Sequence, residues 1–160
     1  AFFSQQRIPE SLRIRAAKVE MDFSPGATDP VELKAMGEVS VANLPRFEGA
    51  AVEIQLGGKA VSLRLNSNGK SQNQEARFAL RILRAGGGEL GATLEFELNL
   101  FGFGWLPALD AIGLKNTNAP LPGIRVRAPL LLAIDQSTNS GTLALTYHAE
   151  KDARGVGRQH

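Results

Sequence analysis

Glu95 and Glu97 stand one residue apart in an alternating stretch, and paired carboxylates are a tool of acid–base chemistry. On a strand, residues i and i+2 share a face, with Cβ atoms about 7 Å apart. Glycoside hydrolysis uses carboxylates at such separations. However, Arg77 and Arg81 lie on the neighbouring stretch with the parity to face them. The glutamates therefore read as members of cross-strand ion pairs, without the split environments that an acid and a base require.

Other candidate chemistries give way similarly. The chain has two histidines, His148 and His160, and neither has a second ligand at metal-binding spacing. A catalytic triad through His148 would need Ser and Asp brought close by the fold, and the sequence carries no local signature for that. Asp22, Asp29 and Glu32 offer oxygen ligands around a turn, but without the repeated Asp spacing of a calcium loop. Asn68-Gly69-Lys70-Ser71 resembles the end of a phosphate-binding loop. That loop needs glycine where Arg64 stands, and it opens a helix, whereas this segment links strands. Gly86-Gly87-Gly88 reads as a hairpin turn with no dinucleotide fingerprint around it. The chain has no cysteine, which removes thiolate nucleophiles, disulfides and zinc–thiolate sites. The expectation is a protein that is not an enzyme, with no catalytic residue, no metal and no cofactor.

The remaining functional signal is aromatic. Phe101, Phe103 and Trp105 crowd a connection that is long for a β protein, and Phe2 and Phe3 sit near the chain start. Apolar residues in such places dock on their own domain or on a partner, and Trp can also stack on a sugar ring. These five residues are the candidate partner-binding set.

Among the elements that would position these residues, the clearest spans residues 89–105. Leu90, Ala92, Leu94, Phe96, Leu98 and Leu100 alternate with Thr93, Glu95, Glu97 and Asn99, which predicts a long strand with one dry face. Residues 12–23 predict a strand with a phase shift at Ala16-Ala17, the mark of a bulge. Residues 31–41 alternate cleanly. Gly57-Gly58 joins two short strands in a hairpin that pairs Ile54 with Val61 and Val52 with Leu63. A turn centred on Gly87 pairs Phe78 with Phe96 and Leu80 with Leu94. Residues 124–134 carry Pro129 on the outer face, which suits an edge or bulged strand because proline lacks an N–H. Leu143, Leu145 and Tyr147 line a last strand, and a short helix is expected within residues 105–114.

About eight strands with turn signals at this spacing predict an all-β domain, a two-layer antiparallel β-sandwich of immunoglobulin-like or jelly-roll-like architecture. The expected organisation is an N-terminal extension (1–10), the β domain (11–150) and a polar C-terminal tail (151–160).

Composition bounds the rest. An apolar share of 43% in 160 residues suits one folded domain. A formal net charge of +2, without clustered Lys and Arg, gives no footprint for nucleic acid. No apolar run is long enough for a transmembrane helix. The start at Ala1, without an initiator Met, fits a mature chain after signal-peptide removal and fits a processed fragment equally well; the expectation taken is an extracellular or periplasmic protein. The expected function is a structural or assembly subunit of an exported bacterial-type system, such as a filament, surface layer or adhesin. It would self-associate, as an oligomer or polymer, through the N-terminal segment. The alternative is a small-molecule or carbohydrate-binding module.

Overall fold

The computed structural model describes residues 11–41, 46–84 and 92–159. Among them, the glycine hairpin forms as its spacing dictates. β3 (Ala51–Leu56) and β4 (Lys59–Arg64) pair with Ile54 opposite Val61 and Val52 opposite Leu63. Gly57 and Gly58 both hold positive φ, at 62° and 83°, which a two-residue primed turn requires.

β1 (Leu12–Asp22) and β2 (Val31–Val41) pair antiparallel, with the register shifting between Ile14 and Ala16. Arg15 is the extra residue of a bulge, and its guanidinium meets Glu38. The bulge presses β1 backbone against Gly37, where any Cβ would overlap the Arg13 carbonyl. Gly37 is therefore fixed by close approach.

β6 (Ala76–Arg84) and β7 (Ala92–Phe101) also pair, two residues away from the expected register. Phe78 faces Leu98, Leu80 faces Phe96, and Ile82 faces Leu94. A one-residue slip would turn every side chain over, but a two-residue slip keeps each on its face, so alternation alone could not exclude it. The observed register sets Arg81 opposite Glu95 at 2.6 Å and leaves Phe78 stacked diagonally on Phe96, with centroids 6.5 Å apart.

The four remaining strands are β5 (Lys70–Gln72), β8 (Ala119–Ile134), β9 (Ser137–Ala149) and β10 (Arg154–Gln159). All ten form one antiparallel sheet in the order β4-β3-β8-β9-β10-β1-β2-β7-β6-β5. The domain is all-β, but the expected two-layer sandwich is replaced by one sheet curled nearly into a barrel. Its outermost strands, β4 and β5, are consecutive in sequence, so residues 65–69 tie the two edges together. Lys59, on β4, also reaches Glu75, between β5 and β6, at 2.8 Å across this seam.

Two strands were hidden by their composition. β5 is short and polar. β10 lies in what reads as a polar tail, because its inward positions are Gly155 and Gly157 and show no apolar alternation. A side chain at Gly157 would collide with Val19, and one at Gly155 with Tyr147. The strand is paired on both sides, to β1 and to β9.

Pro129 is reconciled by the length of β8. β3 pairs with β8 through Leu130–Ile134 alone, so the missing N–H at Pro129 falls just beyond that ladder. On the dry faces that the alternation marks, Ile54, Leu63, Phe78, Leu80, Leu94, Phe96, Leu98, Leu132 and Leu145 are all buried, whereas Ile82 and Ile124 are 43% and 46% exposed.

Candidate functional site

After β7, Gly102 takes φ 102° and breaks the strand. A 3-10 turn, η1 (Phe103–Trp105), leads into a six-residue helix, α1 (Leu106–Ala111), inside the span expected to be helical. Pro107 suits the first helical turn, where its missing N–H has no partner to lose. Gly113, with φ 103°, ends the helix, and Leu114 N–H returns to the Leu109 carbonyl at 2.9 Å. So short a helix is marginal alone. It is held because Trp105, Ala108, Leu109 and Leu114 are buried against the end of the barrel.

The break at Gly102 separates the predicted aromatics. Phe101 is half-buried, Trp105 is fully buried, and Phe103 is 59% exposed. Trp105 Nε1 donates to the Glu75 carbonyl at 2.9 Å, and Lys59 Nζ lies 5.4 Å from the ring centroid. Glu75 Oε2 is buried without an aligned hydrogen bond, so the Lys59 charge is what compensates it. Phe2 and Phe3 lie outside the described residues.

The same end carries the tail of β9. Tyr147 is buried, and its hydroxyl donates to the Lys115 carbonyl at 2.7 Å. Burial pushes its phenol up from 10.0 to about 12, because the phenolate would lose its solvation. The loop holding Asn116 and Asn118 is tied to the β9–β10 turn, with Asn116 bonding Asp152 and Asn118 accepting from the Lys151 N–H. The ladder Ile124–Tyr147–Gly157–Val19–Leu33–Leu100 puts the start of β8 at this end too. There Leu121 is 75% and Ile124 46% exposed. The capped end thus buries Trp105 and presents Phe103, Leu121 and Ile124.

The other sequence candidates sit apart. Glu95 is engaged by Arg81, while Glu97 is exposed opposite Ala79. Asp22 accepts from the Ser24 N–H and hydroxyl, which hold its carboxyl below the ordinary value. Glu32 bridges Lys34 at 3.1 Å. Among the described residues, no group of three or more His, Cys, Asp or Glu is placed to hold a metal. Asn66 Oδ1 accepts from the Asn68 and Lys70 N–H groups, so residues 66–70 form an ordinary turn into β5. His148 lies on β9 opposite Val156.

A feature that sequence reasoning missed lies on the outer face of β1, β2, β7 and β6. A depression of about 440 Å³ opens there. Ladder positions place Ala16, Met36, Glu97 and Ala79 in one row across the four strands, and Lys18, Lys34, Asn99 and Arg77 in the next. Small outward residues amid long charged ones leave the hollow. The visible signal was Ala16 and Ala79 at wet-face positions, but its meaning depends on strand order.

The chain matches no protein-family model, no curated protein and no solved structure.

Proposed function

We propose that the domain is a non-catalytic structural or assembly subunit of an exported system, and that it self-associates through its capped end. The observation that carries this reading is the exposure of Phe103, Leu121 and Ile124 at the capped end; among the described residues the other large apolar side chains that stand exposed are Met36 on β2 and Ile82 and Leu83 on β6. Large apolar side chains gathered at one end of a fold are a hallmark of contact surfaces. The filled interior supports the same reading: Trp105, Tyr147, Phe78 and Phe96 occupy the space that a ligand-carrying barrel leaves open, which directs contacts to the outside.

The energetics set the expected strength. Full burial of each exposed side chain contributes roughly 1.5–3 kcal/mol. Association costs roughly 4–15 kcal/mol before any contact is counted. Three such residues hold a weak pairing, so a tight assembly needs main-chain contact as well. The free flank of β8 before Leu130, where β9 is its one ladder partner among the described residues, suits strand addition. The N-terminal segment with Phe2 and Phe3 is the proposed arm. A sugar-stacking role would fall to Phe103, because Trp105 is buried within its own domain.

The test is the mass of the purified protein in solution across a concentration series, for the parent chain, a Phe103→Ser/Leu121→Ser variant and a chain lacking residues 1–9. Assembly that weakens in the double variant supports the capped end. Loss on truncation with the fold retained adds the arm. Unchanged assembly in the double variant rejects the capped end.

A further inference from the structure

We propose that the outer-face depression binds a small zwitterion with an apolar side chain, an aliphatic α-amino acid in chemical class. The volume of about 440 Å³ falls in the range of roughly 300–1,000 Å³ typical of small-ligand sites. The two rows that line it differ in chemistry, and together they match the three parts of such a ligand.

The cationic row supplies the carboxylate site. Lys18 and Lys34 stand directly opposite each other, an unfavourable arrangement in a sheet unless something else balances it. Glu20 and Glu32, also mutually opposite, anchor them from the side away from the hollow. Arg77 has no carboxylate partner among the described residues. Its Nε donates to Gln72 at 3.1 Å, leaving the terminal nitrogens to make a bidentate contact.

The ammonium site follows from two groups on β7. Asn99 Oδ1 is buried and has no hydrogen-bond partner, although Lys34 and Arg77 flank it on the neighbouring strands. A buried acceptor left unsatisfied is costly, and a donor from a ligand would relieve it. Glu97 has no cationic partner among the described residues and lies two positions away on the same face, about 7 Å along the strand. An ammonium group set between them would satisfy both. The apolar surface of Ala16, Met36 and Ala79 then receives the side chain, and Met36, 39% exposed, supplies a flexible wall.

The experiment is calorimetric titration of the full chain with leucine, leucinamide, 4-methylpentanoate and glycine. Arg77→Ala and Glu97→Gln variants are titrated in parallel, with circular dichroism to confirm their fold. Leucine is expected to bind, leucinamide and 4-methylpentanoate to bind roughly tenfold or more weakly through the loss of one charge-assisted contact each, and glycine to bind more weakly for want of the apolar side chain. Arg77→Ala should narrow the gap between leucine and leucinamide, and Glu97→Gln the gap between leucine and 4-methylpentanoate. The proposal is overturned if leucine does not bind up to about 10 mM, a ceiling that marks negligible affinity. It is equally overturned if 4-methylpentanoate binds as well as leucine to the parent chain, or if neither variant narrows its gap.

Discussion

Tyr147 is the single tyrosine of the chain, so its ionisation can be followed by phenolate absorbance without interference from another phenol. The perturbation is alkaline pH. The ring is buried, its hydroxyl donates to the Lys115 carbonyl, and burial raises the phenol from 10.0 to about 12. A folded pKa above the unfolded one means that the folded state holds its proton longer. The stability it contributes is fully present below pH 10 and is lost as pH rises through about 12. At pH 11, roughly a tenth of folded and nine tenths of unfolded chains would carry phenolate, as the separation of the two values requires. The assay is an absorbance titration, with Trp105 fluorescence following the fold in parallel, since Trp105 is the single tryptophan. The phenol should titrate near pH 12 in the folded chain and near 10 in denaturant. A midpoint near 10 while Trp105 still reports a folded cap would refute the burial of Tyr147 and the sealed end built around it.

Further outcomes follow from packing. Phe96→Ala removes a fully buried ring stacked on Phe78, and urea unfolding should show a loss of roughly 3–5 kcal/mol. Gly37→Ala puts a methyl group into the Arg13 carbonyl at the β1 bulge, and the same measurement should show a cost of roughly 1–3 kcal/mol. Lys59→Ala strips the charge that balances the buried Glu75 Oε2 and should destabilise by roughly 1–3 kcal/mol, toward the low end because the two side chains keep 27% and 37% of their exposure. Phe103→Ser should leave the urea midpoint nearly unchanged, since the ring is 59% exposed, while weakening self-association.

What could be read from the sequence was the sidedness of each strand. Alternation marks which residues face the core, and most of the positions it sets inward are buried, Ile82 on β6 and Ile124 on β8 being the exposed exceptions. Alternation does not order the strands, so one curled sheet and two stacked sheets looked alike. It also ignores slips of two, which is how the β6–β7 register was misplaced while its faces were right. β10 escaped because glycine at positions 155 and 157 makes room for Tyr147 and Val19, and a strand whose inner face is empty shows no period. Phe101, Phe103 and Trp105 share parity, but the left-handed backbone at Gly102 ends the strand between the first and second of them. Phe103 therefore points out while Trp105 points in. The outer-face depression was not legible at all, because Ala16, Met36, Glu97 and Ala79 become neighbours through the order β1-β2-β7-β6.

The most direct test of the assembly reading is light scattering during size-exclusion chromatography from micromolar to millimolar concentration. The mass should rise above the 17.1 kDa of one chain as concentration increases, and fall back toward it in Phe103→Ser/Leu121→Ser. A mass that stays at a single chain throughout the series, with the fold intact, would contradict that reading.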